Sequence, residues 1–114
     1  MHTNTNYTHY ILNSYATAGK IDIDYIAHCV IVVCDNDGPE ICNEKYNTRR
    51  KPRTVAISWL MYWINTELYF NFGRGYYATN KQVLTWDAAH AGQLEKVLDI
   101  VTEYIIAERN ENNN

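Results

Sequence analysis

Two stretches of this chain show a clear apolar stripe at the period of a helix, and the rest are read by other signals. Ile57, Leu60, Met61, Ile64 and Leu68 fall at i, i+3, i+4, i+7 and i+11, the spacing of one helical face, and predict a helix near 54–72. Thr54 is a candidate N-cap, and Gly73 sits where a left-handed C-terminal residue is wanted. Trp59, Trp63 and Phe70 lie off that stripe, so the helix would be apolar around most of its circumference, either central or facing a partner. The rival reading of this segment is a pair of strands, 55–63 and 67–72, because aromatic residues also favour sheet. A second stripe, Leu94, Val97, Leu98, Val101 and Ile105, predicts a helix near 87–109 with Asp87 as its N-cap. Gly92 within it costs about 1 kcal/mol relative to Ala.

The remaining segments read as strand, apart from 38–53, which reads as a loop with at most one short strand. YTHYILNSYA, residues 7–16, mixes β-branched and aromatic residues, and Gly19-Lys20 marks a turn. Ile21 and Ile23 alternate with Asp22 and Asp24 as in an edge strand, and Ile26 to Cys34 is an almost continuous Val- and Ile-rich run. That run ends in the turn cluster DNDGP. Pro52 confines Lys51 to extended conformations, so no regular helix should run through Lys51. Gly73-Arg74-Gly75 reads as a turn, and Tyr76 to Trp86 as a hairpin about Thr79-Asn80-Lys81. The order β, β, α, β, β, α predicts an α+β fold, a small antiparallel sheet of about four strands with two helices packed on it. With no linker and no internal repeat, 1–109 is expected to be a single domain and 110–114 a frayed polar tail.

Composition narrows the class. At 46% hydrophobic and 20% charged, the 114 residues belong to a folded domain and not to a disordered chain. The start MHTNTNYTHY has neither the basic nor the apolar region of a secretory signal, and Val55 to Phe72 is too polar in its second half to span a bilayer. Cys29, Cys34 and Cys42 cannot all pair within one chain, which points to reduced thiols and a cytoplasmic setting. Their spacing, C-x4-C-x7-C, is no zinc pattern, and no metal or cofactor is expected.

Charge is unevenly placed. Lys45, Arg49, Arg50, Lys51 and Arg53 gather half of the ten basic residues into one Pro-containing stretch, and without them the net charge of −3 becomes −8. Arg49 and Arg50 offer two guanidiniums for bidentate contact with phosphate or carboxylate. Arg74, with Tyr76 and Tyr77, could extend this into a basic and aromatic surface for single-stranded nucleic acid. The acidic chain lacks the global positive field of nucleic-acid binders, so an acidic protein surface is the favoured contact for the 45–53 loop. Asp35, Asp37, Glu40 and Glu44, just before it, are candidate internal partners for the same bases. Glu95, Asp99 and Glu103 line one face of the last helix, a solvated stripe or an anionic strip for a basic groove.

The expectation is therefore a small non-enzymatic interaction or inhibitor protein that occupies a surface of a protein partner and self-associates. Its short, acidic, Asn- and Tyr-rich character suits a viral or mobile-element accessory protein that inhibits a host defence complex. Arg49, Arg50, Lys51, Arg53, Arg74, Tyr76 and Tyr77 are the expected contact residues. A nucleic-acid or nucleotide-binding module using the basic loop is one alternative. A small enzyme with one of the three cysteines as nucleophile is the other.

Overall fold

The computed structural model describes residues 4–36 and 43–112. Five helices dominate it: α1 (Asn4–Ser14), α2 (Ile23–Asn36), α3 (Pro52–Phe72), α4 (Asn80–Ala89) and α5 (Gln93–Asn112). A two-residue hairpin, β1 (Ala16–Thr17) with β2 (Lys20–Ile21), joins α1 to α2, and a 3-10 turn, Glu44–Tyr46, precedes α3. The expected four-stranded α+β sheet is absent among the described residues, and the fold is a helical bundle.

The correction has a physical basis in each segment. In α2 the buried residues Ile26, Ala27, Val30 and Cys34, with half-buried Ile23, stand at i, i+3, i+4, i+7 and i+11. That is the same spacing that identifies α3. The Val and Ile content suggested sheet, but β propensity is weak beside a helical burial pattern over fourteen residues. Asp22, expected in an edge strand, accepts the Tyr25 backbone N–H at 3.1 Å and caps α2. In α1 the buried Thr8, Ile11 and Leu12 likewise share one helical face.

Residues 80–86 of the expected hairpin belong to the helix α4. Thr79 Oγ1 accepts the Gln82 backbone N–H at 3.3 Å, and Gln82 Oε1 accepts the Thr79 N–H at 2.8 Å. This reciprocal box satisfies two orphan donors and makes Thr79 a helix start, not a turn corner. The single helix expected at 87–109 is broken, because His90 and Gly92 both donate backbone N–H to the Asp87 carbonyl. Ala91 and Gly92 follow in left-handed backbone, φ 60° and 67°. α5 then runs to Asn112, into the stretch expected to fray.

Other readings hold. α3 is one helix rather than two strands, and Gly73, at φ 96°, ends it by donating its N–H to Tyr69 O at 2.8 Å. Lys51 is extended, as the following proline requires. Lys51 and not Thr54 is the N-cap residue, with Pro52 filling the first helical position, where its missing N–H costs nothing. Ala18 and Gly19, φ 53° and 79°, form the two-residue hairpin turn where Gly19-Lys20 was expected.

The core lies where α2, α3 and α5 pack against one another, with α1 laid on α3 and α4. Trp59, Trp63 and Trp86 are fully buried with Val30, Ile64, Leu68, Val101 and Ile105. The core face of α3 is thus Ala56, Trp59, Leu60, Trp63, Ile64 and Leu68, turned from the expected stripe toward its tryptophans. That rotation leaves Ile57 and Met61 at the surface side, where they meet α4 and α5.

Candidate functional site

The basic stretch is largely occupied within the chain. Lys45 Nζ lies 3.1 Å from Asp35 Oδ1 and 3.0 Å from Glu108 Oε1, joining α2 to α5. Tyr104 also donates its hydroxyl to Asp35. Burial lowers the Lys45 pKa, but its contacts with Glu108 and Asp35 outweigh this and hold it above the ordinary value. Burial, then the hydrogen bond to Asp35, raises the Tyr104 phenol. Arg50 pairs with Glu44 at 2.5 Å. Arg53 divides its guanidinium between Glu95 and Asp99, both at 2.6 Å, so the acidic stripe of α5 meets the basic loop inside the molecule. Arg109 donates to the carbonyls of Glu44, Lys45 and Asn47 and closes the 3-10 turn onto α5.

Arg49 and Lys51 are exposed and form no ion pair among the described residues. Arg74, Tyr76 and Tyr77 follow the opposite end of α3, whose 21 residues span about 30 Å. The structure therefore does not join them to Arg49, Arg50, Lys51 and Arg53. Tyr76 packs edge-on against Tyr7 while Tyr77 and Arg74 stay exposed. Asp37, Glu40 and Cys42 lie outside the described residues.

Cysteine chemistry has little support in the geometry. Cys34 is fully buried and its Sγ donates to Trp59 O at 3.6 Å. Cys29 is half-buried, and its hydrogen bond with Tyr25 is the chief cause of that phenol's raised pKa. His28, its sequence neighbour, is exposed. Among the described residues no three His, Cys, Asp or Glu side chains converge as metal ligands would. No helix among them is long and apolar enough to cross a membrane.

An apolar groove lies between α3, α4 and α5 instead. Ile57 and Met61 of α3, Val83 and Leu84 of α4, and Leu94 and Leu98 of α5 line it, enclosing about 140 Å³. Leu84 is 61% exposed and Ile57 39%, so two large aliphatic side chains stand open to water at its mouth. Its charged lining is entirely acidic: Asp87 and Glu95. Asp87 is buried, and burial raises its pKa, opposed by the backbone N–H of Leu94, which donates to Oδ1 at 2.7 Å. Glu95 holds Arg53, so the basic stretch reaches the groove only at this rim.

Sequence reasoning missed this groove because it assigned Val83 and Leu84 to a strand. The capping box Thr79-x-x-Gln82 was the available signal: it fixes a helix from residue 80 and places Val83 and Leu84 on its faces. The aromatic surplus divides. Trp59 and Trp63 are core, whereas Tyr69 and Phe70 are 51% and 76% exposed beside Tyr62 and Thr66. No family model matches the chain, and comparisons with curated proteins and with solved structures return no match.

Proposed function

We propose that this chain is a non-enzymatic protein-binding module whose α3–α4–α5 groove receives an amphipathic helix flanked by basic residues. The observation that carries this reading is the open pair Leu84 and Ile57 over an aliphatic floor. Exposed leucine and isoleucine beside a concavity is what helix-in-groove recognition uses, with anchors at i, i+3, i+4 and i+7 entering the groove. The charge of the occupant follows from the rim. Asp87 and Glu95 line the groove, and Asp99 and Glu103 continue the acidic face along α5 against the single Arg53. A basic flank complements that rim, and an acidic one would be repelled.

This reading moves the expected contact away from the 45–53 loop, where three of the five bases are already paired to carboxylates among the described residues. Within the 45–53 loop a nucleic-acid role would rest on Arg49 and Lys51, a small charge for polyanion binding by an acidic chain.

The test is fluorescence anisotropy with three designed helical peptides sharing one set of apolar anchors and carrying basic, acidic or neutral flanks. The basic peptide should bind tightest, and Leu84→Asp should abolish its binding. Equal binding of all three, or binding untouched by Leu84→Asp, would overturn the proposal. Light scattering covers the other occupant: a dimer that Leu84→Asp dissolves would assign the groove to a second copy and refute a foreign helix.

A further inference from the structure

A second concavity, sharing no lining residue with the first, lies between the β1–β2 hairpin and the α4–α5 turn. It is an open cleft of about 730 Å³, within the roughly 300–1,000 Å³ range of small-molecule sites. Lys20, from the hairpin, and Lys96, from the first turns of α5, both line it, with His90 between them in the chain. Not one carboxylate lines it, although the chain as a whole carries a net charge of −3. Neither lysine forms an ion pair among the described residues.

The walls are pinned together. Gln93 Oε1 accepts the Ile21 backbone N–H at 2.7 Å, and its Nε2 donates to Gly19 O at 2.8 Å and His90 O at 2.9 Å. One side chain thus uses three hydrogen bonds to hold the hairpin against the α4–α5 turn and fix the backbone positions of both lysines. The His90 ring is also set: it stacks on Trp86 with centroids 3.8 Å apart and planes 10° apart. Its Nδ1 lies 2.6 Å from Trp86 O. A carbonyl oxygen only accepts, so Nδ1 bears the hydrogen of this contact. Ile21 and Ile23 supply an apolar wall.

We propose that this cleft binds a small organic phosphate, with Lys20 and Lys96 neutralising the phosphate group and the Ile21–Ile23 wall receiving its apolar body. Two lysines lining one cleft from separate elements suit a multiply charged anion, because each ammonium can add a charge-assisted hydrogen bond. The pairing was invisible in the sequence, where the two lysines lie at opposite ends of the chain.

The test is a ¹⁵N–¹H correlation titration of the full chain with adenosine 5′-monophosphate and with pyrophosphate, at constant ionic strength set with chloride. Saturable shifts should concentrate on residues 18–23 and 89–96. Lys20→Gln with Lys96→Gln should weaken binding of both probes at least tenfold, whereas Lys51→Gln leaves it unchanged. Both lysines are exposed, so the unperturbed spectrum of the double variant reports directly that the fold is retained. Shifts that fail to saturate in the millimolar range, that spread over every lysine, or that persist in the double variant would overturn the proposal.

Discussion

Ile57 of α3 and Leu84 of α4 line one groove and leave 39% and 61% of their surfaces open to solvent. Neither side chain is needed by the core, whose α3 face is carried by Trp59, Leu60, Trp63, Ile64 and Leu68. Leu84→Asp should therefore shift folding stability by no more than about 0.5 kcal/mol, as expected of exposed positions. The same change should remove binding of a basic amphipathic helix. Urea unfolding beside peptide anisotropy measures both, and a large loss of stability would mean that Leu84 is structural.

Removing Trp59 should have the opposite character. It is fully buried, and its backbone carbonyl accepts from Cys34. Trp59→Ala is expected to cost about 3–5 kcal/mol, a large fraction of the roughly 5–15 kcal/mol that holds a domain folded. Phe70→Ala, at a position 76% exposed, should change stability by about 0.5 kcal/mol or less. Thermal melts of the two variants check the contrast.

The Lys45 network predicts an alkaline limit. The folded pKa of Lys45 lies above the ordinary 10.5, so its ion pairs stabilise fully below that value and are lost as pH climbs through the raised one. Tyr104, raised from 10.0, acts in the same direction, since the fold favours the neutral phenol that donates to Asp35. Stability should hold through neutral pH and fall progressively above about 10. Lys45→Met should cost about 1–3 kcal/mol at pH 7 by leaving Asp35 and Glu108 without the ammonium. It should also flatten the alkaline slope, which denaturant titrations across pH would reveal.

Asp87 predicts an acid-side effect of opposite sign to the usual carboxylate. Burial raises its folded pKa above 3.8, so its contribution to stability falls as pH rises from 3.8 through the raised value. Asp87→Asn keeps an oxygen for the Leu94 N–H and removes the buried charge, so stability at pH 7 should equal or exceed wild type. Asp87→Ala loses the acceptor at the start of α5 and should cost about 1 kcal/mol. Guanidinium melts at pH 4 and 7 separate the two variants.

What the sequence disclosed depended on whether composition agreed with period. α3 and the body of α5 were legible because their leucines and isoleucines carry helical spacing without a competing signal. α2 has the same spacing at Ile23, Ile26, Ala27, Val30 and Cys34, but Ile31, Val32 and Val33 between them imitate a buried strand. α4 was hidden for a different reason: Thr79-Asn80 resembles a hairpin corner, and only the reciprocal bonds of Thr79 with Gln82 identify it as a cap. The break at 90–92 was foreshadowed by Gly92, whose positive φ a continuous helix cannot use.

The site was less legible than the fold. The charge cluster at 45–53 was visible, but which carboxylates it meets depends on how helices pack. Asp35 and Glu44 were foreseeable from their proximity in sequence. The pairs of Arg53 with Glu95 and Asp99, and of Lys45 with Glu108, connect segments more than forty residues apart. The groove and the lysine-lined cleft arise only where three elements converge, and no local pattern in the chain records either.

The most direct measurement is a ¹⁵N–¹H correlation map of the chain with the basic-flanked amphipathic peptide added to saturation. The account predicts that the largest shifts fall on Ile57, Met61, Val83, Leu84, Leu94 and Leu98, with Arg49, Lys51 and Phe70 unmoved. Shifts centred on Tyr69 and Phe70, or on the 45–53 loop, would contradict it.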